Sequence, residues 1–439
     1  MSNKTYDEYK TIDNMFFNKI PINWSIFKLK HIINSLESGK RKDFEDTNFA
    51  FSIGGEHINW NGTLNLTNKR YITEEFYNSL SKGKINKNDI LLVKDGATIG
   101  KTAFISDLSQ KMAVNEHVFI IRNNERLIPK LLYYLITSHL GFTQIKLTET
   151  GSAQGGISQD IRDKVDFIIP NDLKEQQQIA NYLDKQTAKI DATIAKNEEL
   201  IQLLEEKRVA LINQVITKGL NPDVPMKDSG VEWIGEIPEH WDVDCLKHNV
   251  ILNAKTLTDT TDNDYEFDYV DIGSVSLENG IEKYEHMSFE DAPSRARRVV
   301  KKDDVIISTV RTYLKAIAII PDKEDIIVST GFAVLTPNKI DSRYLGYMVK
   351  TEYFTNLVSA HSVGVSYPAI NSTDLVNLDI LIPPNNEQKQ IADYLDNEVS
   401  NINDIITKVT ENINLLEEYK TSLIHHVVTG KIDVRGEEI

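Results

Sequence analysis

The sequence contains very little cysteine and no long apolar run. Cys245 is the only cysteine among 439 residues, which excludes an internal disulfide, and the ten histidines do not show the Cys/His spacing of a zinc site. No stretch of about 18 apolar residues is available to span a bilayer, and the opening segment MSNKTYDEYK is unlike a secretory signal. We therefore expect a cytoplasmic protein without bound metal or membrane contact, in which Cys245 is a small buried residue.

Motifs of several enzyme classes are also missing. The chain has no Gly-x-Gly-x-x-Gly, no Gly-x-Ser-x-Gly, no His-Glu-x-x-His, and no Asn-Pro-Pro-[Tyr/Phe], the motif with which amino-methyltransferases hold a flipped adenine. A Pro-Asp pair at Pro321 lacks the downstream Glu-x-Lys of nuclease sites. We therefore expect a protein that binds rather than reacts, with no catalytic residue and no cofactor of its own.

One stretch, LLVKDGATIGKT at residues 91–102, looks like a phosphate-binding loop. A Walker loop needs four residues between its two glycines so that successive backbone N–H groups surround a phosphate, whereas Gly96 and Gly100 enclose only three. The favoured interpretation is a glycine-rich turn between two strands, in which Lys94 and Lys101 contact nucleic-acid phosphate. An ATP-dependent enzyme that uses Lys101 is the alternative.

An excess of positive charge is lacking as well. The chain carries 49 Lys+Arg against 65 Asp+Glu, a net charge of −16. Residues 1–165 nevertheless carry 22 basic and 18 acidic residues, whereas residues 231–379 carry 14 and 25. The second region concentrates its positive charge in SRARRVVKK, residues 294–302, which is either a solvated turn or a phosphate-contacting patch. We expect the first region to bind an anionic partner with the larger electrostatic contribution.

The most informative feature is an internal repeat. EQQQIANYLD, which begins at Glu175, returns as EQKQIADYLD at Glu387, 212 residues later. The same offset relates LLEE at Leu203 to LLEE at Leu415. The segment IPINWSIFKLKHI, which begins at Ile20, is similar to IPEHWDVDCLKHN, which begins at Ile237. Near-identity over ten residues at one offset indicates a tandem of two half-molecules.

Each half predicts a globular part followed by a long helix. Short apolar runs such as DILLV, HVFIIR, DVIIS and KAIAII favour strands, and PKLLYYLITS and SRYLGYMVKT favour helices, so each globular part is expected to have a mixed α/β (α+β) fold. The predicted segments are an N-terminal extension 1–19, a first domain 20–170, a first helix 171–219, a linker 220–236, a second domain 237–383, a second helix 384–430 and a C-terminal tail 431–439.

Apolar residues of the two helices follow alternating steps of four and three, which predicts a coiled-coil seam. The predicted seam residues are Leu183, Ile190, Ile194, Ile201, Leu204, Leu211, Leu395, Ile402, Ile406, Ile413, Leu416 and Leu423. Asn197 and Arg208 interrupt the seam; a seam Asn either fixes register or is a plain imperfection. We expect the two helices to pair as an antiparallel coiled coil that holds the two domains apart in a pseudo-two-fold arrangement.

These repeated motifs resemble those of the DNA-specificity subunit of type I restriction-modification systems. The resemblance rests on the helix opening Glu-Gln-x-x-Ile-Ala-x-Tyr-Leu-Asp, the Leu-Leu-Glu-Glu segment, the Val-[Ile/Val]-Thr ending and the IPxxW entry to each half, and it covers nearly the whole chain. It implies two target-recognition domains that each read one half of a split DNA sequence, separated by the paired helices. It also implies partners: two methyltransferase subunits, which carry S-adenosylmethionine, and motor-nuclease subunits, which join through them and use ATP and Mg.

The loops TGSAQGGIS, residues 150–158, and HSVGVSYPAI, residues 361–370, occupy equivalent places before the last strand of each domain and suit DNA contacts. A connector without a ligand is the alternative. The expected DNA-contacting residues are Ser152, Gln154, Gly155, Gly156, Ser158, Lys82, Lys84, Lys87, Lys94, Lys101, Arg295, Arg297, Arg298, Arg311, Gly364, Ser366 and Tyr367. Glu56, His57 and Trp60 suggest a recognition loop, although a structural role for His57 is favoured.

Two further alternatives remain at the level of the sequence. A chain with the same fold can serve a methylation-only or silent system, and a coiled-coil scaffold can link proteins without reading DNA. The two domains differ strongly outside their framework strands, which predicts an asymmetric target.

Overall fold

The computed structural model describes residues 4–41, 48–68, 70–150, 155–231 and 234–437. The chain divides into two compact units. Unit 1 comprises Met1–Asn197 and Glu411–Ile439, and unit 2 comprises Glu198–Thr410. Each unit therefore takes its globular part from one repeat and helical segments from both repeats. No helix in the described part of the chain is long and apolar enough to cross a membrane.

The first repeat contributes eleven of the strands in the described residues. They are β1 Tyr9–Thr11, β2 Lys19–Pro21, β3 Trp24–Lys28, β4 Ile33–Ser38, β5 Ala50–Ile53, β6 Tyr71–Ile72, β7 Ile90–Val93, β8 Thr102–Phe104, β9 Met112–Val114, β10 Val118–Asn123 and β11 Asp166–Pro170. The α-helices of this repeat are α1 Glu74–Ser79, α2 Pro129–Thr137, α3 His139–Leu147, α4 Ile161–Lys164 and α5 Leu173–Lys218.

The second repeat follows the same order with additional short strands. Its strands are β12 Met226–Asp228, β13 Glu236–Pro238, β14 Asp242–Cys245, β15 Val250–Leu252, β16 Lys255–Thr256, β17 Glu266–Val270, β18 Val275–Ser276, β19 Gly280–Ile281, β20 Glu285–Ser288, β21 Ala296–Val299, β22 Val305–Ser308, β23 Ile317–Ile319, β24 Ile326–Ser329, β25 Phe332–Pro337 and β26 Asp379–Ile382. Its α-helices are α6 Ser342–Lys350, α7 Glu352–Ala360, α8 Ser372–Leu375 and α9 Asn385–Val428.

Each unit contains a four-stranded antiparallel sheet of the same order, β4-β10-β7-β8 in unit 1 and β15-β25-β22-β23 in unit 2. A second sheet, β6-β5-β9 or β16-β21-β24-β17-β20, includes one parallel pair. All four residues of β7 are buried, and they alternate between two apolar clusters, with Ile90 and Leu92 in one and Leu91 and Val93 in the other. The strand is covered on both faces, which explains its uninterrupted apolar run. The predicted mixed α/β tandem fold is confirmed.

The two long helices pack against each other within each unit. In unit 1, Leu183 of α5 shares an apolar cluster with Leu423 of α9, and in unit 2 Leu211 shares one with Leu395. The beginning of α5 thus meets the end of α9 in unit 1, and the converse holds in unit 2, so the segments run antiparallel. The predicted seam residues are buried or half-buried, as are Asn197 and Arg208, while most positions between them are exposed.

The repeated Glu-Gln pair fixes the start of each long helix to its domain. The buried Gln176 side chain donates to Pro170 O at 2.8 Å and accepts from Ile128 N at 3.0 Å. Gln388 makes the same pair of bonds in unit 2, to Pro383 O at 2.8 Å and from Asp341 N at 2.9 Å. A buried amide bonded at both ends orients the long helix relative to the last strand of the domain and to the start of α2 or α6.

The N-terminal segment and the C-terminal segment are folded parts of unit 1. Tyr6 is buried and its hydroxyl donates to Glu175 Oε1 at 2.8 Å, while Asp433 N donates to Lys4 O at 2.7 Å. In unit 2 the corresponding hairpin, β12 with β13, lies partly within the predicted linker. Sequence patterns did not reveal this role, because short polar hairpins carry little periodicity.

The expectation that Cys245 is buried is wrong. The residue is half-exposed at the end of β14, and its thiol donates to Asp379 Oδ1 at 3.5 Å across the β14–β26 pair. Both strands of a two-stranded sheet are edge strands, so β14 has a neighbouring strand on one side alone. Desolvation, followed by the bond to Asp379, raises the pKa of this thiol.

Candidate nucleic-acid interface

Three loops of unit 1 meet at the C-terminal end of β7. Ile157 N donates to Lys94 O at 2.8 Å, and Asp95 forms a β-bridge with Gly156. The loop that follows β5 reaches the same end, because a methyl group on Gly55 would lie 3.1 Å from Val93 Cγ1. We call these loops, residues 54–60, 94–101 and 155–158, face 1.

The same arrangement recurs in unit 2 at the C-terminal end of β22. Ile370 N donates to Thr309 O at 2.9 Å, and Val310 forms a β-bridge with Ala369. A methyl group on Gly331 would lie 2.6 Å from Ile272 Cδ1 and 3.3 Å from Val310 Cγ2, which brings the loop after β17 to this end. We call residues 271–274, 309–315 and 363–369 face 2. The predicted equivalence of the loops before the last strand of each domain is confirmed.

Face 1 presents a lysine and a tryptophan. Lys101 Nζ lies 5.8 Å from the centre of the Trp60 ring, which is 63% exposed. Lys94 is half-buried and pairs with Asp95 at 2.6 Å, and Asp95 also contacts His117 at 3.2 Å. The charge of Lys94 is therefore neutralised within the unit, and Lys101 is the cation of this loop that remains for an anionic ligand.

The glycine-rich loop of face 1 lies only partly within the described residues. Ser152 and Gln154 fall outside them. Gly155 and Gly156 are half-buried, and a methyl group on Gly156 would lie 2.9 Å from Asp95 Oδ1, so this position favours glycine for reasons of space. Ser158 is exposed, and its hydroxyl accepts from Asp160 N at 3.1 Å.

Face 2 presents an arginine and a tyrosine. The Arg311 guanidinium lies 5.1 Å from the centre of the Tyr367 ring, and both side chains are exposed. No carboxylate of the described residues lies within 4.0 Å of Arg311. Gly364 adopts φ +114° at the tip of the loop that carries Tyr367, and Ser366 is exposed beside it. A cation on an aromatic ring, without an acidic partner, suits a nucleic-acid edge or phosphate.

The predicted basic run of unit 2 is divided between two environments. Arg295 is exposed and contacts Asp271 at 2.9 Å, at the edge of face 2. Arg297 stacks on Phe289 at 4.6 Å. Burial lowers the pKa of Arg298, whose buried Nε has no hydrogen-bond partner among the described residues. The run therefore does not form one continuous cationic patch.

The predicted lysines before β7 lie on a segment that pairs with β9. Lys87 is exposed three residues before β7, near the N-terminal end of that strand, whereas face 1 lies at its C-terminal end. Lys82 is exposed next to Gly83, whose carbonyl accepts from Val114 N at the end of β9. Lys84 Nζ lies 5.1 Å from the centre of the Tyr77 ring. The structure therefore places Lys87 away from Lys101.

His57 has the structural role that was favoured. It is 1% exposed, accepts from Gly54 N at 2.9 Å through Nδ1, and contacts Asn68 O at 2.8 Å through Nε2. Its neighbour Glu56 contacts Arg70 at 2.8 Å. Both ring nitrogens of His57 are thus satisfied within the domain, and no group of three or more His, Cys, Asp or Glu side chains in the described residues could hold a metal ion.

The glycines of the phosphate-loop-like stretch have a conformational explanation. Gly96 and Gly100 have φ of +85° and +96°. The aligned residues of unit 2, Arg311 and Lys315, have φ of +51° and +48° and flank the short 3-10 helix Thr312–Leu314. Both units thus share one loop conformation. Its recurrence without glycine or Lys-Thr in unit 2 favours the strand-connecting turn over a nucleotide site.

The sequence did not predict that Arg311 contacts Tyr367, or that Lys315 lies in the same turn of face 2. The alignment of Arg311 and Lys315 with Gly96 and Gly100 could have indicated that both residues lie in a loop with positive φ angles.

Comparison with known proteins agrees with this arrangement. A family model described as the type I restriction modification DNA specificity domain matches the chain twice, at residues 21–202 and 238–415. The type I restriction enzyme MjaVIII specificity subunit of Methanocaldococcus jannaschii is 27% identical over 365 residues, covering 80% of this chain and 81% of that protein. The putative MjaX specificity subunit of the same organism is 24% identical over 426 residues, covering 95% of each chain.

Solved structures share the fold. A structure of the type I R-M system, determined in work on its complex assembly and conformational transition, aligns with a TM-score of 0.66 and 17% identity, covering 95% of this chain and all of that chain. The HsdS subunit from Thermoanaerobacter tengcongensis aligns with a TM-score of 0.55 and 16% identity, covering 94% of this chain and 98% of that one. With the family model matching both repeats over most of their length, the chain belongs to the family of type I restriction-modification DNA specificity subunits.

Proposed function

We propose that face 1 and face 2 each read one half of a split DNA target. The observation that carries this proposal is the recurrence of the same loops at the end of the same strand in two units, with different side chains on each. Equivalent geometry suits two similar docking events on DNA, and different side chains suit different base sequences. The target is therefore asymmetric, and this chain selects it without performing a chemical step.

The two half-sites are bound with different electrostatic contributions. The region of the first domain carries a small excess of basic residues, and the region of the second carries 25 acidic against 14 basic residues. Because release of counterions from DNA grows with the number of phosphates neutralised, binding through face 1 depends more steeply on salt than binding through face 2.

The long helices set the separation of the half-sites. Helix α5 has 46 residues, about 69 Å at about 1.5 Å per residue, and α9 has 44. Polar pairs between the helices, Lys420 with Asp191 and Arg208 with Asn403, support a single antiparallel register. A fixed helix length corresponds to a fixed number of unspecified base pairs at about 3.4 Å each.

The helices also bind two methyltransferase subunits. Leu203 and Leu415 occupy equivalent positions outside the seam and are 55% and 64% exposed. Exposed leucines repeated at the same place in both halves suit two copies of one partner. That partner carries S-adenosylmethionine and methylates adenine. Motor-nuclease subunits, which use ATP and Mg, join through the methyltransferases in the cytoplasm.

The first test is co-expression with a methyltransferase subunit of the same host, followed by mapping of N6-methyladenine with the chain present and deleted. We expect a split, asymmetric motif that disappears on deletion. A stable complex without any motif dependent on this chain would favour a scaffold or a silent system instead. Cleavage of unmodified DNA after addition of the motor-nuclease subunit separates a restricting system from a methylation-only one.

A second test changes helix length. Insertion of one heptad into each helix, after Glu198 in α5 and before Thr410 in α9, preserves the seam and adds about 10 Å. The methylated motif is expected to gain about three unspecified base pairs and to keep both half-sites. A change in the bases of either half-site would contradict the assignment of reading to the two faces.

A further inference from the structure

Two cationic residues of face 2 occupy backbone positions that ordinarily favour glycine. Arg311 and Lys315 have φ of +51° and +48°, and the first repeat has Gly96 and Gly100 at the aligned positions. In this conformation the Cβ atom approaches the following carbonyl oxygen, which destabilises any residue with a side chain relative to glycine. The second repeat therefore tolerates backbone strain at two positions of one loop, and strain of this kind concentrates at functional sites.

The side chain of Arg311 is prepared for a ligand outside the protein. It is exposed, no carboxylate of the described residues lies within 4.0 Å, and its guanidinium lies 5.1 Å from the ring centre of Tyr367. Tyr367 is itself 66% exposed and is carried by the 363–369 loop. Stacking on one face of a guanidinium limits its orientations while leaving the N–H edge free for two parallel hydrogen bonds.

The surroundings of Arg311 include exposed apolar side chains as well as the cations Lys315 and Arg295. Val363 and Val365 are 81% and 103% exposed at the tip of the 363–369 loop, and Tyr313 is 56% exposed in the 309–315 loop. A surface that served only to attract phosphate would not need exposed apolar side chains, which suit contact with base edges and thymine methyl groups.

We propose that Arg311 is a specificity-determining residue of face 2, which donates two hydrogen bonds to O6 and N7 of one guanine in the major groove while Tyr367 orients it. This inference rests on the proposed function and deepens it. Guanine is the base whose major-groove edge offers two adjacent acceptors matching the guanidinium fork. Lys315 is half-buried at the other end of the same turn.

The test uses the complete chain in complex with its methyltransferase partner. Methylation motifs are mapped for the wild type, for Arg311→Gln and for Lys339→Gln. Lys339 is exposed in the same unit but follows β25, whose end lies opposite face 2 because β25 runs antiparallel to β22. We expect one guanine of one half-site to become unspecified in Arg311→Gln, with the other positions and the gap unchanged, and no change in Lys339→Gln.

A binding measurement with modified DNA examines the groove directly. Replacement of the assigned guanine by 7-deazaguanine removes the N7 acceptor, and wild-type affinity is expected to fall about 10-fold. Arg311→Gln is expected to bind both DNAs equally and about 10- to 100-fold more weakly than wild type binds its target. Equal weakening of all half-site positions, or no effect of 7-deazaguanine on the wild type, would overturn the proposal in favour of a phosphate contact.

The variant Arg311→Gly controls for folding. Glycine relieves the strain at φ +51°, so its melting temperature is expected to equal or exceed that of the wild type while its motif loses the same guanine. Lower stability together with an unchanged motif would assign Arg311 a structural role and overturn the proposal. A wild-type complex without any split motif would instead reject the proposed function itself, and a motif without guanine in either half would reject only the role of Arg311.

Discussion

In unit 1 the Lys420 ammonium group donates a hydrogen bond of 2.6 Å to Asp191 Oδ1, joining α9 to α5. The residues 212 positions away, Arg208 and Asn403, are joined at 2.7 Å in unit 2. Lys420 and Arg208 occupy the polar positions of the two seams, and each reaches a residue beside the facing seam. These two interruptions of the apolar pattern thus have polar partners, an arrangement that stabilises one register over its shifted alternatives.

A double-mutant cycle with Lys420→Ala and Asp191→Ala should give a coupling energy of about 0.5 kcal/mol, because Asp191 is 51% exposed and water weakens the attraction. The coupling should decrease at high salt. The matched cycle Arg208→Ala with Asn403→Ala has one neutral partner and should depend less on salt. Unfolding in urea provides the energies, and a salt-independent coupling for the first pair would show that it is not electrostatic.

Replacement of Glu175 by Ala should strongly destabilise unit 1. Glu175 Oε1 accepts from the Tyr6 hydroxyl at 2.8 Å and from Trp24 Nε1 at 2.9 Å, and all three residues are buried. Two buried donors left without an acceptor cost about 2–4 kcal/mol. Hydrogen exchange of backbone amides in the unit 1 core, compared between Glu175→Ala and the wild type, measures this loss of stability.

The second repeat offers a matched control for this change. Glu387, the equivalent of Glu175, accepts from the exposed His240 at 2.8 Å, and Trp241 Nε1 has no partner among the described residues. Glu387→Ala should therefore cost less than about 1 kcal/mol in unit 2. Equal costs in both units would contradict the role assigned to the buried network around Glu175.

The stability of unit 1 should fall as the pH falls from about 6.5 to about 4. Burial lowers the pKa of His425 from 6.5 to about 4, and the cations Lys431, His426 and His139 act in the same direction. In this window the unfolded chain binds a proton that the folded chain excludes, so the stabilisation is complete above pH 6.5. Because His425 is only half-buried, the loss should amount to about 1–2 kcal/mol.

His425→Asn should remove this part of the pH dependence. Asn213, the equivalent residue of the first helix, accepts from Glu352 N at 2.9 Å at the start of α7. An Asn at 425 can bond similarly near the start of α3 at His139, so stability at pH 7 should be preserved. His361→Asn, an exposed change in unit 2, is the control. Urea titrations of His425→Asn between pH 4 and pH 8 measure the dependence of stability on pH. If stability still falls toward pH 4, another titrating group causes the fall.

Trp60 should report DNA binding at face 1. Trp24 and Trp241 are fully buried, so among the tryptophans that the structure describes the 63% exposed Trp60 is the one whose environment a ligand can change. Addition of target DNA to the methyltransferase complex should quench part of the emission, and Trp60→Phe should abolish the change while binding persists. Quenching of equal size in Trp60→Phe would place the contact elsewhere.

The repeat, the strands and the long helices were predictable because their signals are periodic. The seam follows from spacing alone, and strands such as β7 and β22 are apolar runs bounded by turn residues. The order of the strands in the sheets was not predictable, because strand pairing joins segments that are far apart in the sequence. Arg311 and Tyr367 illustrate the same limit. They are 56 positions apart in the sequence, and hydrogen bonds between their two loops, including the β-bridge of Val310 with Ala369, bring them together.

Composition also could not show which basic residues of the interface are paired with acidic residues. A count of basic residues treats Lys94 and Lys101 alike, yet Lys94 is paired with Asp95 and Lys101 lies over Trp60. Arg298 is half-buried, its guanidinium donates to Thr256 Oγ1 at 3.1 Å, and burial lowers its pKa, whereas its neighbour Arg295 is exposed.

The membership of residues 411–437 in unit 1 has a consequence for synthesis on the ribosome. Leu423, Val427 and Val434 complete a core that begins with Tyr6 and Trp24, and they are translated after all of unit 2. Unit 1 therefore cannot complete its core until residues 411–437 are synthesised, and part of its apolar surface stays exposed while unit 2 emerges and folds. A ribosome that stalls near residue 410 would release a chain with a finished second unit and an unfinished first one, the reverse of the usual order.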